Sequence, residues 1–137
     1  MVRREGWQDK AKKYVMGMKK EIRLQVYNKY GGHCAYCGKA IDYGDMQVDH
    51  IEPRYNAIYR HKPLDELNVI DNYNPSCRAC NFRKGTLSIE GFRADIAYQA
   101  EAEMKRFQAR MSIAYGLIEY HPEREVKFYF ENHKENV

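Results

Sequence analysis

No run of about 18 apolar residues occurs in the chain, so nothing in it reads as a membrane-spanning helix. No secretory signal is legible either. Met1-Val2-Arg3-Arg4 opens basic, but no apolar stretch follows it. Internal repeats and low-complexity tracts are missing, which excludes solenoid and tail-like organisation. These absences lead us to expect a soluble, intracellular, cytoplasmic protein with no membrane partner. Cysteine is scarce, and its placement is informative. The only four are Cys34, Cys37, Cys77 and Cys80, in two CxxC pairs. In a reducing compartment such pairs indicate a metal rather than disulfides.

With 137 residues the chain has the length of one domain, and a hydrophobic fraction of 44% supports a modest core. The sequence divides into a basic helical segment (1–32), a central stretch (33–87), and a long helix with a terminal strand (88–137). The net charge of +4 is unevenly spread, since residues 1–30 carry nine bases against three acids. That excess suits a polyanionic partner, and equally a solvated helix face.

Along the chain, Trp7, Ala11, Val15, Met18, Ile22 and Val26 recur at helical spacing, predicting a helix from about Gln8 to Tyr30. Gly31-Gly32 ends it, because a left-handed C-cap favours glycine. His33–Lys39 reads as a metal knuckle, and Met46–Ile51 as a short strand forming a hairpin with Cys34–Lys39. Residues 54–71 are predicted to be a partly irregular connection with a helical turn within Leu64–Ile70. Asn72 and Asn74-Pro75 look like turn residues. A short helix is expected from Cys77 to a C-cap at Gly85. Ser88 caps a long helix with an apolar stripe from Ile89 to Met111, and Val126–Phe130 has strand propensity.

Four thiolates in two pairs satisfy a closed, tetrahedral structural Zn²⁺ site. Asp49-His50 is the second chemical feature. A carboxylate suits a hard divalent ion such as Mg²⁺ or Mn²⁺, and an imidazole suits proton abstraction near neutral pH. The zinc site would bring Asn81, which follows Cys80, towards the strand carrying Asp49. An amide oxygen there completes the ligands of the divalent ion. Arg83 and Lys84 extend along the same helix as candidate contacts for phosphate.

Cys34-x-x-Cys37, Val48-Asp49-His50-Ile51-x-Pro53-Arg54 and Asn72-x-x-Pro75-x-Cys77-x-x-Cys80-Asn81-x-x-Lys84-Gly85 together resemble the HNH endonucleases, in their four-cysteine, zinc-containing branch. The resemblance covers about residues 34–86. It implies an α+β fold: a ββα-metal core with a structural four-cysteine zinc site, flanked by N- and C-terminal helices. It implies that His50 is the general base, that Asp49 and Asn81 hold one catalytic Mg²⁺ or Mn²⁺, and that Asn72 orients the base. Asn68 and Asn74 fit that last position less well by spacing. The implied partner is double-stranded DNA, with Arg54 joining Arg83 and Lys84 on its phosphates. A monomer would nick and a symmetric homodimer would cut both strands. The competing reading is a zinc-stabilised nucleic-acid-binding module that does not cleave. It explains the cysteines but not the Asp-His-Asn set.

Overall fold

A computed structural model describes residues 18–135. The predicted helix over 8–30 therefore lies partly outside the described residues. Within them it is α1 (Lys20–Asn28). Val26 on α1 is fully buried in the main core. Gly31 and Gly32 follow with positive φ, as a helix stop requires. Two bases of this basic segment are used inside the fold. Lys29 Nζ donates to the carbonyls of Ile70 (2.8 Å) and Tyr73 (2.7 Å), and Arg23 donates to those of Tyr43 and Met46. Part of the N-terminal charge thus stabilises the fold rather than facing a polyanion.

The sheet has two antiparallel strands, β1 (Gln47–His50) and β2 (Tyr73–Ser76). In their register Val48 faces Pro75, Asp49 faces Asn74 and His50 faces Tyr73. This corrects the expected hairpin between β1 and Cys34–Lys39, and Asn74-Pro75 is strand rather than turn. Pro75 is tolerated because its carbonyl alone is used. It accepts the N–H of Ala35 at 2.8 Å, so the knuckle lies along the outer side of β2.

The connection between the strands holds two single α-helical turns, α2 (Asn56–Tyr59) and α3 (Leu64–Leu67), and a 3-10 turn at Ile70–Asn72. After β2, α4 (Arg78–Lys84) is capped at its start by Cys77 Sγ, which accepts the Cys80 N–H. Strand, strand and helix in this order form the ββα unit of an α+β fold.

Ser88 caps α5 (Ile89–Met104), its hydroxyl accepting the Gly91 N–H at 3.0 Å. The expected single helix is broken at Lys105–Arg106, where Arg106 is extended. A second helix, α6 (Phe107–Ala114), continues the chain. The expected terminal strand is not formed. Phe128 is extended and the chain then turns into α7 (Tyr129–Asn132). Tyr129 and Phe130 donate their N–H groups to the carbonyls of Tyr36 and Ala35, at 3.0 and 2.8 Å. The β-prone residues thus find the knuckle's backbone as partner instead of a strand edge. Phe92 and Phe128 stack at 5.2 Å, and both pack edge-on against Tyr36. Residues beyond the central stretch therefore close the core over the knuckle. Arg93 pairs with Glu131 and fastens this tail to α5. Among the described residues, no helix is long and apolar enough to cross a membrane.

Candidate metal centre and catalytic cavity

The two CxxC pairs converge. The four sulfurs lie within 4.8 Å of one another, and Cys37 Sγ is 3.8 Å from Cys77 Sγ. About 3.8 Å is also the edge of a tetrahedron with metal–sulfur bonds of about 2.3 Å, so the cluster is shaped to bind a metal ion. Gly38, at φ +77°, makes the tight turn of the knuckle. A Cβ there would come within 2.6 Å of the Tyr129 ring. The Cys34 thiol is lowered to about 4, first by its contact with Cys80 and then by backbone N–H groups. Cys80 is pushed up by that same contact with Cys34, and Cys37 is pushed up by burial. Such a cluster ionises fully only around a cation.

Asp49, on β1, is buried. The Tyr36 hydroxyl donates to its Oδ2, and Lys84 Nζ lies 3.1 Å from the same oxygen. Oδ1 takes part in neither contact. Burial raises the Asp49 carboxyl above its usual range, with the Lys84 charge as the main opposing influence. Lys84 Nζ also donates to the His50 carbonyl at 2.8 Å, and the side chain is wholly buried. This corrects its expected role as a phosphate contact, because the ammonium is committed inside the fold to β1. Replacing it (Lys84→Met) leaves Asp49 buried without a counter-charge. We expect a loss of about 3–5 kcal/mol in urea denaturation without added divalent ion. An unchanged midpoint would contradict this placement.

His50 packs edge-on against Tyr73 at 5.0 Å. Its Nε2 lies 2.9 Å from Asn68 Oδ1. A carbonyl oxygen only accepts, so Nε2 carries the hydrogen and Nδ1 keeps the lone pair. Burial lowers the imidazole's pKa, and the Arg54 charge acts in the same direction. Both favour the neutral ring.

Asn72 does not touch the imidazole. Its Oδ1 accepts the Glu52 N–H at 2.8 Å, and its Nδ2 donates to the carbonyls of Glu52 and Leu67, each at 2.9 Å. It fixes the chain two residues beyond His50, while Asn68 makes the direct contact. Spacing alone ranks Asn68 below Asn72. The turn after α3 brings it back to β1, and no local pattern signals that return.

Asp49, His50, Arg54 and Asn81 line one cavity of about 650 Å³, with Tyr55 and Ile58 of the α2 region on its wall. A carboxylate and an amide lining one cavity are hard oxygen donors, so the residues fit a divalent ion. Arg83 lies outside this set, in a two-point ion pair with Asp95 (2.7 and 3.3 Å) on the exposed face between α4 and α5.

Residues 34–87 match the family model described as HNH endonuclease. The match runs from the first cysteine of the knuckle to just beyond α4. Among solved structures, the Type II-C Cas9 enzyme from Actinomyces naeslundii is similar at 20% identity, with a TM-score of 0.43. The similarity covers 68% of this chain and 12% of that enzyme. No curated protein matches significantly in sequence. The family match supports a nuclease-type function.

Proposed function

We propose that this protein is a metal-dependent DNA endonuclease that hydrolyses phosphodiester bonds with His50 as general base. The reading rests on one observation above the others: Asp49, His50 and Asn81 line a single cavity. A non-cleaving module would need the cysteines but not this trio.

In the proposed reaction, neutral His50 takes a proton from water at Nδ1 while Asn68 holds Nε2–H. Burial and Arg54 keep the ring unprotonated until that moment. The hydroxide attacks phosphorus in line, and the 3′ oxygen leaves. Asp49 and Asn81 would hold one Mg²⁺ or Mn²⁺ at the cavity wall. That ion, when bound, offsets the negative charge building on the phosphate and on the leaving oxygen. Asn72 keeps the chain after His50 in register with the α3 turn. Arg54 lines the same cavity and is suited to a phosphate oxygen, whereas Arg83 is paired with Asp95 outside it. The four-cysteine cluster would hold structural Zn²⁺, which would fix α4 against the knuckle.

The test is product chemistry on supercoiled plasmid with Mg²⁺ or Mn²⁺. Loss of the 3′ oxygen leaves a 3′-hydroxyl and a 5′-phosphate, so nicks should be sealed by DNA ligase. Nicks that ligase cannot seal would contradict this direction of attack. Absence of cleavage, with salt-sensitive binding retained, would favour the binding module.

A further inference from the structure

We propose that Tyr36, held between the first two cysteines, is a positioning residue that sets the divalent-ion carboxylate of Asp49 and thereby couples the cysteine centre to the catalytic cavity. The inference rests on the functional reading above and adds to it the route by which one metal site governs the other.

The phenol is fixed on every side. Its backbone lies inside Cys34-Ala35-Tyr36-Cys37, so its origin is set by the sulfur cluster. The knuckle is tied to β2 through Ala35 N–H and Pro75 O, and to the C-terminal tail through Tyr36 O and Tyr129 N–H. The ring is 2% exposed and sits edge-on among Phe92, Phe128 and Phe130, at 5.5, 5.5 and 6.0 Å. From this cage the hydroxyl reaches across to β1 and donates to Asp49 Oδ2.

Asn74 gives the hydroxyl its direction. It stands opposite Asp49 in the sheet and is 1% exposed, and its Nδ2 donates to the phenol oxygen at 3.4 Å. With its oxygen accepting from Asn74, the phenol turns its hydrogen to the carboxylate. Asn74 Oδ1 has no hydrogen-bond partner among the described residues. A buried, unpaired amide oxygen costs about 1–3 kcal/mol. Asn74 thus gains little as a generic core residue, and among the described residues its side chain's one polar contact is the phenol. Tyr36 and Lys84 together occupy Oδ2, which leaves the other oxygen of Asp49 for the ion in the cavity that it lines. A knuckle that shifts would carry the phenol with it and turn the carboxylate.

The test is Tyr36→Phe, which removes only the hydroxyl and keeps the aromatic cage. Bound zinc and the circular dichroism spectrum are measured first, and Mn²⁺ binding is then followed by its electron paramagnetic resonance signal, independently of cleavage. We expect zinc content and spectrum to match wild type and Mn²⁺ affinity to fall by about 10–100-fold, the usual cost of removing a partner that orients a metal ligand. Cleavage should regain part of its rate at high Mn²⁺, since the loss is in ion binding. Asn74→Ala leaves the knuckle untouched and should weaken Mn²⁺ in the same direction by less. It decides the matter if Tyr36→Phe loses its zinc. Wild-type Mn²⁺ affinity in both variants, or no Mn²⁺ binding by the wild type, would overturn the proposal. If wild type binds Mn²⁺ but does not cut DNA while Tyr36→Phe binds it weakly, the coupling stands and the nuclease reading fails.

Discussion

His50→Ala is expected to lower the cleavage rate by about 10²–10⁴-fold, the usual contribution of a positioned general base, while leaving zinc content and Mn²⁺ binding unchanged. The separation follows from the geometry. The fold uses the backbone of His50, whose carbonyl accepts from Lys84, and alanine keeps that carbonyl. The imidazole itself meets Asn68 by a hydrogen bond and Tyr73 by a ring contact, both at the edge of the fold's core. Its removal should therefore affect chemistry far more than structure. Asn68→Ala should show a smaller loss in rate, because the ring remains but its tautomer is no longer set. Single-turnover cleavage at saturating Mn²⁺, compared across the variants, checks the order. A variant at position 50 with full activity would mean that another group activates the water.

Cys77→Ser is expected to have the largest effect on stability. Cys77 serves twice, as one of four clustered sulfurs and as the N-cap of α4. Structural zinc in small domains contributes about 10–16 kcal/mol of apparent binding energy, as large as the whole stability of about 5–15 kcal/mol for a typical domain. Losing one ligand should therefore release the ion and unfold the central stretch at ambient temperature. Wild type treated with a strong zinc chelator should behave alike. Circular dichroism during chelation, with released zinc followed by a chromogenic indicator, makes the measurement. Loss of zinc without loss of helix would show that the aromatic core alone holds the fold.

The features legible in the sequence are those in which chemistry demands local spacing. CxxC, Asp49-His50 and Asn81 after Cys80 are short-range patterns, and the structure brings the cysteines together and puts the other three on one cavity. Ser88 and Gly31-Gly32 are legible because caps and stops act over one helical turn. The partner of β1 is not legible, since Asn74-Pro75 has the composition of a turn. Its strand character comes from pairing with β1 on one side and the knuckle on the other. Val126–Phe130 misleads in the opposite direction: its propensity is for extended chain, but its partner is a knuckle and the run ends in a helical turn. Lys84 reads as a phosphate contact because sequence carries no signal of which lysine turns inward. Tyr36 looks like a spacer between two cysteines, and only the folded structure shows that its hydroxyl meets Asp49.

The central claim is that the cavity containing Asp49, His50 and Asn81 cuts DNA. Its most direct test is supercoiled plasmid incubated with wild type and His50→Ala side by side, with Mg²⁺ or Mn²⁺ and with EDTA, with bound zinc measured in each sample. The account predicts nicked or linear product from the wild type with divalent ion, and almost none from His50→Ala with its zinc intact. Equal cleavage by the two proteins, or no cleavage by zinc-loaded wild type under either ion, would contradict it.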